Sequence, residues 1–359
     1  MVAARALPFM GGIETHVHEV SSRLADMGVD VTVLTTDTTG ELPRAQTVSG
    51  YRVIRWPAYP RSRDYYFSPG LARHLLGARG CYDVMHMQGV HTLVPPAALT
   101  AARRTRMPSV LTFHTGGNSS QLRESMRPVQ FKVLAPLLRS ADALVAVCEY
   151  ERGKFAKLLG IPPARIRLIR NGSEPLPVDP TAPGIDGDPL LVSVGRLEEY
   201  KGHHRVLQAM PLILREAPQA TLALIGTGPY EARLREMAAE LGVADHVVVR
   251  SFGPEERGAL GKVVSGADVM CLLSEYEAHP VAVMEGVGTG TPALVADTSG
   301  LTELGEAGLA TTIPLDASSE EIARAAMKLA RMPRSAPPLI PTWDDCARQL
   351  RDLYREVAR

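Results

Sequence analysis

Two glutamates eight positions apart, Glu277 and Glu285, flank a single proline, Pro280. Proline is disfavoured inside a helix but suits its first position, where its missing N–H would be unpaired anyway. The spacing therefore predicts Glu277 on a loop and Glu285 about a turn and a half inside a helix that Pro280 opens. Carboxylates accept hydrogen bonds from sugar hydroxyls, and the free N–H groups of a helix start favour an anion. Three further groups could take part. Arg196 and Lys201 follow the apolar run 190–194, with Gly195 and Gly202 beside them. His114 ends the run 108–113 and is followed by Gly116 and Gly117. Gly11 and Gly12 precede an amphipathic stretch, 14–27, that carries Glu14 and His16 near its start.

The elements that must hold these residues read as alternating strands and helices. Apolar runs at 29–35, 51–56, 83–88, 108–113, 143–148 and 166–170 predict strands in the first half. In the second half the same pattern recurs at 190–194, 221–225, 247–250, 269–273 and 292–296. Between them fall helical stretches, among them 122–138, where Pro128 predicts a break, and 149–159, 320–330 and 343–357. Residues 37–50 read as a polar loop. Each chemistry-bearing residue follows a strand or opens a helix, which is where open α/β sheets bind ligands. The stretch 173–189 holds five prolines with glycines and aspartates and reads as a linker. The predicted division is a first domain, 1–178, a second, 179–341, and a last helix, 342–359.

A chain of 359 residues is long for one core and suggests two domains. Its 45% apolar and 22% charged residues are those of a globular protein. Cys81, Cys148, Cys271 and Cys346 lack metal or disulfide spacing and read as free thiols of a reducing cytoplasm. No apolar run is long enough to span a bilayer, and no signal-peptide pattern opens the chain. Asp186-Gly187-Asp188 spells a metal-binding pattern but lies in the turn-rich linker, and the pair His86/His91 lacks a third ligand. No metal is expected. Net charge is zero, yet residues 1–180 carry 22 Lys+Arg against 14 Asp+Glu, net +8, and residues 181–359 carry 17 against 25, net −8. A basic first half suits an anionic acceptor or peripheral contact with the inner membrane face; ordinary solvated charge explains it equally well. Nucleic acid is not expected, since the basic and aromatic loop 61–67 is too small a stacking platform.

Taken together, these motifs resemble the retaining glycosyltransferases of family 4. That family's signature is a glutamate, seven residues and a second glutamate, as in Glu277 to Glu285, and its Val-Gly-Arg-x4-Lys-Gly pattern stands at 194–202. The resemblance runs from Gly11 to the last helix. It implies an α/β glycosyltransferase-B architecture: two Rossmann-like domains facing each other across a cleft, with the last helix returning to the first. It further implies transfer of a sugar, with retention and without metal, from a nucleotide diphosphate sugar, UDP- or GDP-linked by family habit, to a hydroxyl acceptor. No cofactor is implied. By the same resemblance Gly12, Arg196, Lys201, Arg250 and Glu285 bind the donor, Arg196 and Lys201 gripping the departing diphosphate and Glu285 the ribose. Glu277 holds the transferred sugar, His114 orients it without acting as a base, and Glu14 and His16 touch the acceptor. One departure is visible, Ala278-His279-Pro280 in place of the family's Gly-Phe-Gly. Two other readings keep the architecture: a nucleotide-sugar epimerase, and a non-catalytic partner subunit. Nothing would require Arg196, Lys201, Glu277 and Glu285 together in the latter.

Overall fold

The computed structural model describes all residues except 10, 62–65, 91, 115–120 and 335, and all described side chains except those of 121–129 and 254. The chain forms two compact units, one of residues 1–115, 120–172 and 341–359, the other of 116–119 and 173–340.

In the first unit the strands are β1 (Val2–Ala3), β2 (Thr32–Asp37), β3 (Ala45–Val48), β4 (Tyr51–Pro57), β5 (Met85–Gln88), β6 (Ser109–Thr112), β7 (Ala143–Ala146) and β8 (Ile166–Leu168). They form one sheet ordered β3-β4-β2-β1-β5-β6-β7-β8, parallel except where β3 runs antiparallel to β4. The order reverses beside β1, which pairs with β2 on one side and β5 on the other. Helices cover the sheet, and their inner faces, Phe155 of the helix Glu149–Leu159 among them, cluster with Met87, Leu111 and Leu144 of the strands. The helix Trp343–Val357 belongs here. Its stripe of Trp343, Cys346, Ala347, Leu350 and Leu353 is buried, and Arg23 Nε of the helix Gly12–Asp26 lies 2.8 Å from Asp344 Oδ1.

The second unit holds β9 (Leu190–Val194), β10 (Thr221–Ile225), β11 (Val247–Arg250), β12 (Val269–Leu272), β13 (Ala293–Ala296) and β14 (Thr311–Ile313). All pairs are parallel, in the order β11-β10-β9-β12-β13-β14. This is the doubly wound order, whose reversal falls between β9 and β12. Both strands are apolar and buried along nearly their whole length, as strands covered on two faces must be.

Three local expectations change. The polar loop 37–50 contains β3, a half-exposed edge strand too polar to carry an apolar alternation. The helix Gln121–Leu138 runs through Pro128 without the expected break. Its last turns bury Phe131, Ala135 and Leu138, and that packing offsets the hydrogen bond a proline removes. Residues 173–178, assigned above to the first domain, lie in the second unit, where Leu176 packs with Val263 and Val264.

Candidate active site

In the second unit the reversal brings two loops together, residues 195–202 after β9 and 273–280 after β12. Lys201 Nζ lies 2.5 Å from Glu277 Oε1, with the side chains 15% and 12% exposed. Ser274 Oγ donates to the same oxygen at 3.0 Å and also reaches Lys201 O at 3.2 Å. Burial alone would lower the Lys201 pKa, but the charge of Glu277, Tyr200 and the hydrogen bond outweigh it and the pKa is raised. The ammonium therefore stays charged through the neutral range.

Close backbone contacts hold this pair. Gly202 has φ +72°, and a Cβ there would sit 1.9 Å from Leu273 O. Gly300 presses equally hard on Ala278 O from the other side. Glu275 N donates to Tyr200 O at 2.8 Å, Ser299 Oγ accepts from Glu277 N at 2.9 Å, and Gly300 N donates to Glu277 O at 2.9 Å. Pro280 is the N-cap of the helix Val281–Gly288, one position earlier than expected, and no side-chain hydrogen bond caps that end. Its missing N–H therefore costs the helix nothing, and the first N–H groups of the helix remain outside its own ladder.

Arg196 is half exposed. It pairs with Glu198, and its Nη2 donates to Tyr200 Oη at 2.9 Å. Its backbone carbonyl accepts from His203 Nε2 at 3.1 Å, while His203 Nδ1 meets Ser193 Oγ at 2.8 Å. His203 is fully buried, and burial pulls its pKa down to about 4 against the opposing hydrogen bond. It is a neutral brace under the arginine loop. Glu285, the fifth residue of its helix, is 8% exposed and meets Arg257 Nη2 at 2.6 Å. Arg250 ends β11, stacks its guanidinium over Phe252 at 4.4 Å and lies 3.9 Å from Glu256.

In the first unit Gly12 opens the helix Gly12–Asp26, and a Cβ there would meet nothing within 4 Å. Glu14 folds back so that its carboxylate lies over Gly11. His114 is 5% exposed; its Nε2 meets Gln88 Oε1 at 2.8 Å, and its ring stands edge-on to His16 with centroids 4.5 Å apart. His16 does not face outward as an acceptor contact would. Positions 16, 20 and 24 share the inner face of the helix, so its ring is 1% exposed and its Nδ1 meets Asn171 Oδ1 at 2.9 Å. Burial holds its pKa down to about 4 despite that bond. This corrects the acceptor role assigned to His16: it packs beneath His114.

Arg257, His203, Gln88 and Asn171 were missed. His203 directly follows the Lys201-Gly202 motif and was within reach; Arg257 had no local signal. His91 lies outside the described residues. Among the described residues no three His, Cys, Asp or Glu could hold a metal ion, and Asp188 of the Asp-Gly-Asp stretch uses its N–H on Gln219 O. No described helix is long and apolar enough to cross a membrane.

Known proteins resemble this chain in sequence and in fold. Residues 10–175 match the model described as Glycosyltransferase Family 4, and residues 179–339 the model described as Glycosyl transferases group 1. The D-inositol 3-phosphate glycosyltransferase of Thermobispora bispora is 28% identical over 325 residues, 81% of this chain and 75% of that protein. The GDP-mannose-dependent alpha-(1-6)-phosphatidylinositol monomannoside mannosyltransferase of Mycolicibacterium smegmatis is 30% identical over 280 residues, 69% of each. Among solved structures, the sucrose-phosphate synthase of Thermosynechococcus elongatus matches with TM-score 0.75 at 20% identity, covering 99% of this chain and 98% of that one. HepE of Anabaena in complex with UDP and glucose matches with TM-score 0.73 at 17% identity and the same coverage. The two parallel-sheet units are those of the glycosyltransferase-B fold. The chain belongs to glycosyltransferase family 4.

Proposed function

We propose that this glycosyltransferase moves a sugar, with retention of anomeric configuration and without a metal ion, from a nucleotide diphosphate donor to a hydroxyl of a phosphate-bearing polyol or lipid. The observation that carries the reading is the Lys201–Glu277 pair at the strand-order reversal of the second unit, beside an uncapped helix start. A diphosphate gathers negative charge as the sugar leaves. Lys201, Arg196 and the first N–H groups of the helix Val281–Gly288 would stabilise that charge more in the transition state than before it. Glu277 would hold hydroxyls of the departing sugar and Glu285 the ribose, and Gly12, with no Cβ, would be a further contact of the donor. His114 would orient the sugar. On this route the leaving phosphate takes the acceptor proton, so no side chain is needed as general base.

The acceptor class rests on two supports. Residues 1–180 carry net +8, and the two relatives act, by their names, on an inositol phosphate and a phosphatidylinositol mannoside. The donor is a UDP- or GDP-sugar on the same kind of support.

Thermal shift against a panel of nucleotide sugars tests the donor, since a ligand at a hundred times its Kd adds about 2.7 kcal/mol to stability. One donor should raise Tm in wild type and much less in Lys201→Met. With that donor and an inositol phosphate, Glu277→Gln should lower kcat on the order of a hundredfold, while saturating EDTA leaves the rate unchanged. Wild-type turnover in both variants would defeat the assignment, and loss of rate in EDTA restored by manganese would defeat metal independence.

A further inference from the structure

Three successive residues at the start of the helix Ser299–Glu306 give their polar groups to another element. Thr298 is the N-cap, yet its hydroxyl does not cap; it donates to Ser274 O at 2.9 Å. Ser299 Oγ takes the N–H of Glu277 at 2.9 Å, and Gly300 N donates to Glu277 O, also at 2.9 Å. Glu277 is thus held by both its backbone groups, while Lys201 and Ser274 hold its Oε1. The helix itself gains nothing, since its start keeps no side-chain cap.

The backbone here is strained as well. Ser299 has φ +49°, a left-handed conformation that glycine adopts freely and other residues resist. Among the described residues two other non-glycines share a positive φ: Ser49, between β3 and β4, and Arg106, the C-cap of the helix Val94–Thr105. Turns and helix ends use that conformation routinely. Ser299 instead opens a helix, where it has no capping use. A glycine there would relieve the strain and forfeit only the hydroxyl. What the serine adds is an acceptor for Glu277 N, which no other described group meets.

We propose that Ser299 is a positioning residue: its hydroxyl fixes the Glu277 backbone, and through it the direction of the carboxylate, at a cost to local stability. This rests on the reading that Glu277 holds the transferred sugar. Strain kept beside a reacting group in this way is the mark of a functional constraint.

Ser299→Gly and Ser299→Ala separate the hold from the strain. Both lack the oxygen, but only alanine keeps the strain, so Ser299→Ala should melt about 3 °C below Ser299→Gly. Hydrogen exchange on the full chain, resolved to single amides by mass spectrometry, should show the Glu277 N–H exchanging about tenfold faster in both. The Glu275 N–H, bonded to Tyr200 O, should keep its wild-type rate. Nucleotide release from UDP-glucose or GDP-mannose, whichever stabilises the wild type, should lose about tenfold in kcat in both variants, with KM within about a factor of two. A rate that followed stability instead, lost in Ser299→Ala and kept in Ser299→Gly, would reduce Ser299 to a structural part. Unchanged exchange at Glu277 would remove the hold itself. Glu277→Gln in the same assay tells the two readings apart. If it turns over as wild type does, the sugar-holding role of Glu277 falls and that of Ser299 with it; if it slows while Ser299→Gly does not, the positioning alone falls.

Discussion

At Glu285 a carboxylate one-tenth exposed shares a short, charge-assisted bond with the Arg257 guanidinium, itself about one-third exposed. With one oxygen committed to Arg257, the orientation of the other is set. Arg257→Met should therefore act on donor binding rather than on chemistry. KM for the donor should rise about tenfold with kcat within twofold, the signature of lost uniform binding. If Arg257 aims Glu285 at the ribose, wild type will prefer ribose over 2′-deoxyribose donors, and the preference will shrink in the variant. An unchanged ratio would show that Arg257 serves only packing. Lys201 and Glu277 were legible because each belongs to a local pattern: a strand, glycines, and an acid just before a helix. Arg257 was not, because its pairing with Glu285 spans 28 residues and obeys no local spacing. Burial of His16 was legible in principle, since it falls in register with Val20 and Leu24, but its place in the glycine motif suggested a ligand.

Elements are held by backbone contacts that side-chain patterns do not record. The strand order needed to bring the loops after β9 and β12 together follows from right-handed crossovers between parallel strands, and the apolar runs predicted most of those strands. The short antiparallel β3 and the unbroken helix through Pro128 were illegible because a neighbour, β4 in one case and the core in the other, stabilises what local propensity disfavours. Two glycines separate the structural demand from the functional one. Gly202→Ala must place a Cβ against Leu273 O at positive φ, so the loop has to move. We expect a loss on the order of 2–3 kcal/mol in urea unfolding and a weaker hold on Lys201. Gly12→Ala meets open space and should leave stability within about 0.5 kcal/mol, yet it should weaken donor binding if phosphates approach there. Equal donor affinity in Gly12→Ala would mean that the glycine serves only the turn.

Across the whole molecule, each unit buries a neutral histidine beneath its candidate ligand loops: His16 under His114 in the first and His203 under Arg196 in the second. Both have pKa values drawn down to about 4 by burial, against an ordinary 6.5. The unfolded chain therefore binds protons that the folded chain refuses, and stability must fall as pH drops from 6.5 toward 4. Each buried ring should account for about 3 kcal/mol of that loss by pH 4. Carboxylates act in a lower window. Asp37 is pushed up by burial but held below its usual pKa of 3.8 by hydrogen bonds from Thr39, Gly40 and Leu42, so its contribution disappears only as pH falls through and below that value. The interval from 6.5 to 4 thus reports chiefly on histidine. Both tryptophans, Trp56 and Trp343, lie in the first unit, so their fluorescence follows the unit that contains His16. In urea titrations read by that fluorescence, His16→Gln should lower stability at pH 7 but flatten its decline toward pH 4 by about 3 kcal/mol. His203→Gln should leave the slope of that signal as in wild type. A parallel decline in wild type and His16→Gln would show that the buried ring is protonated in the folded state, and the neutral brace beneath His114 would have to be abandoned.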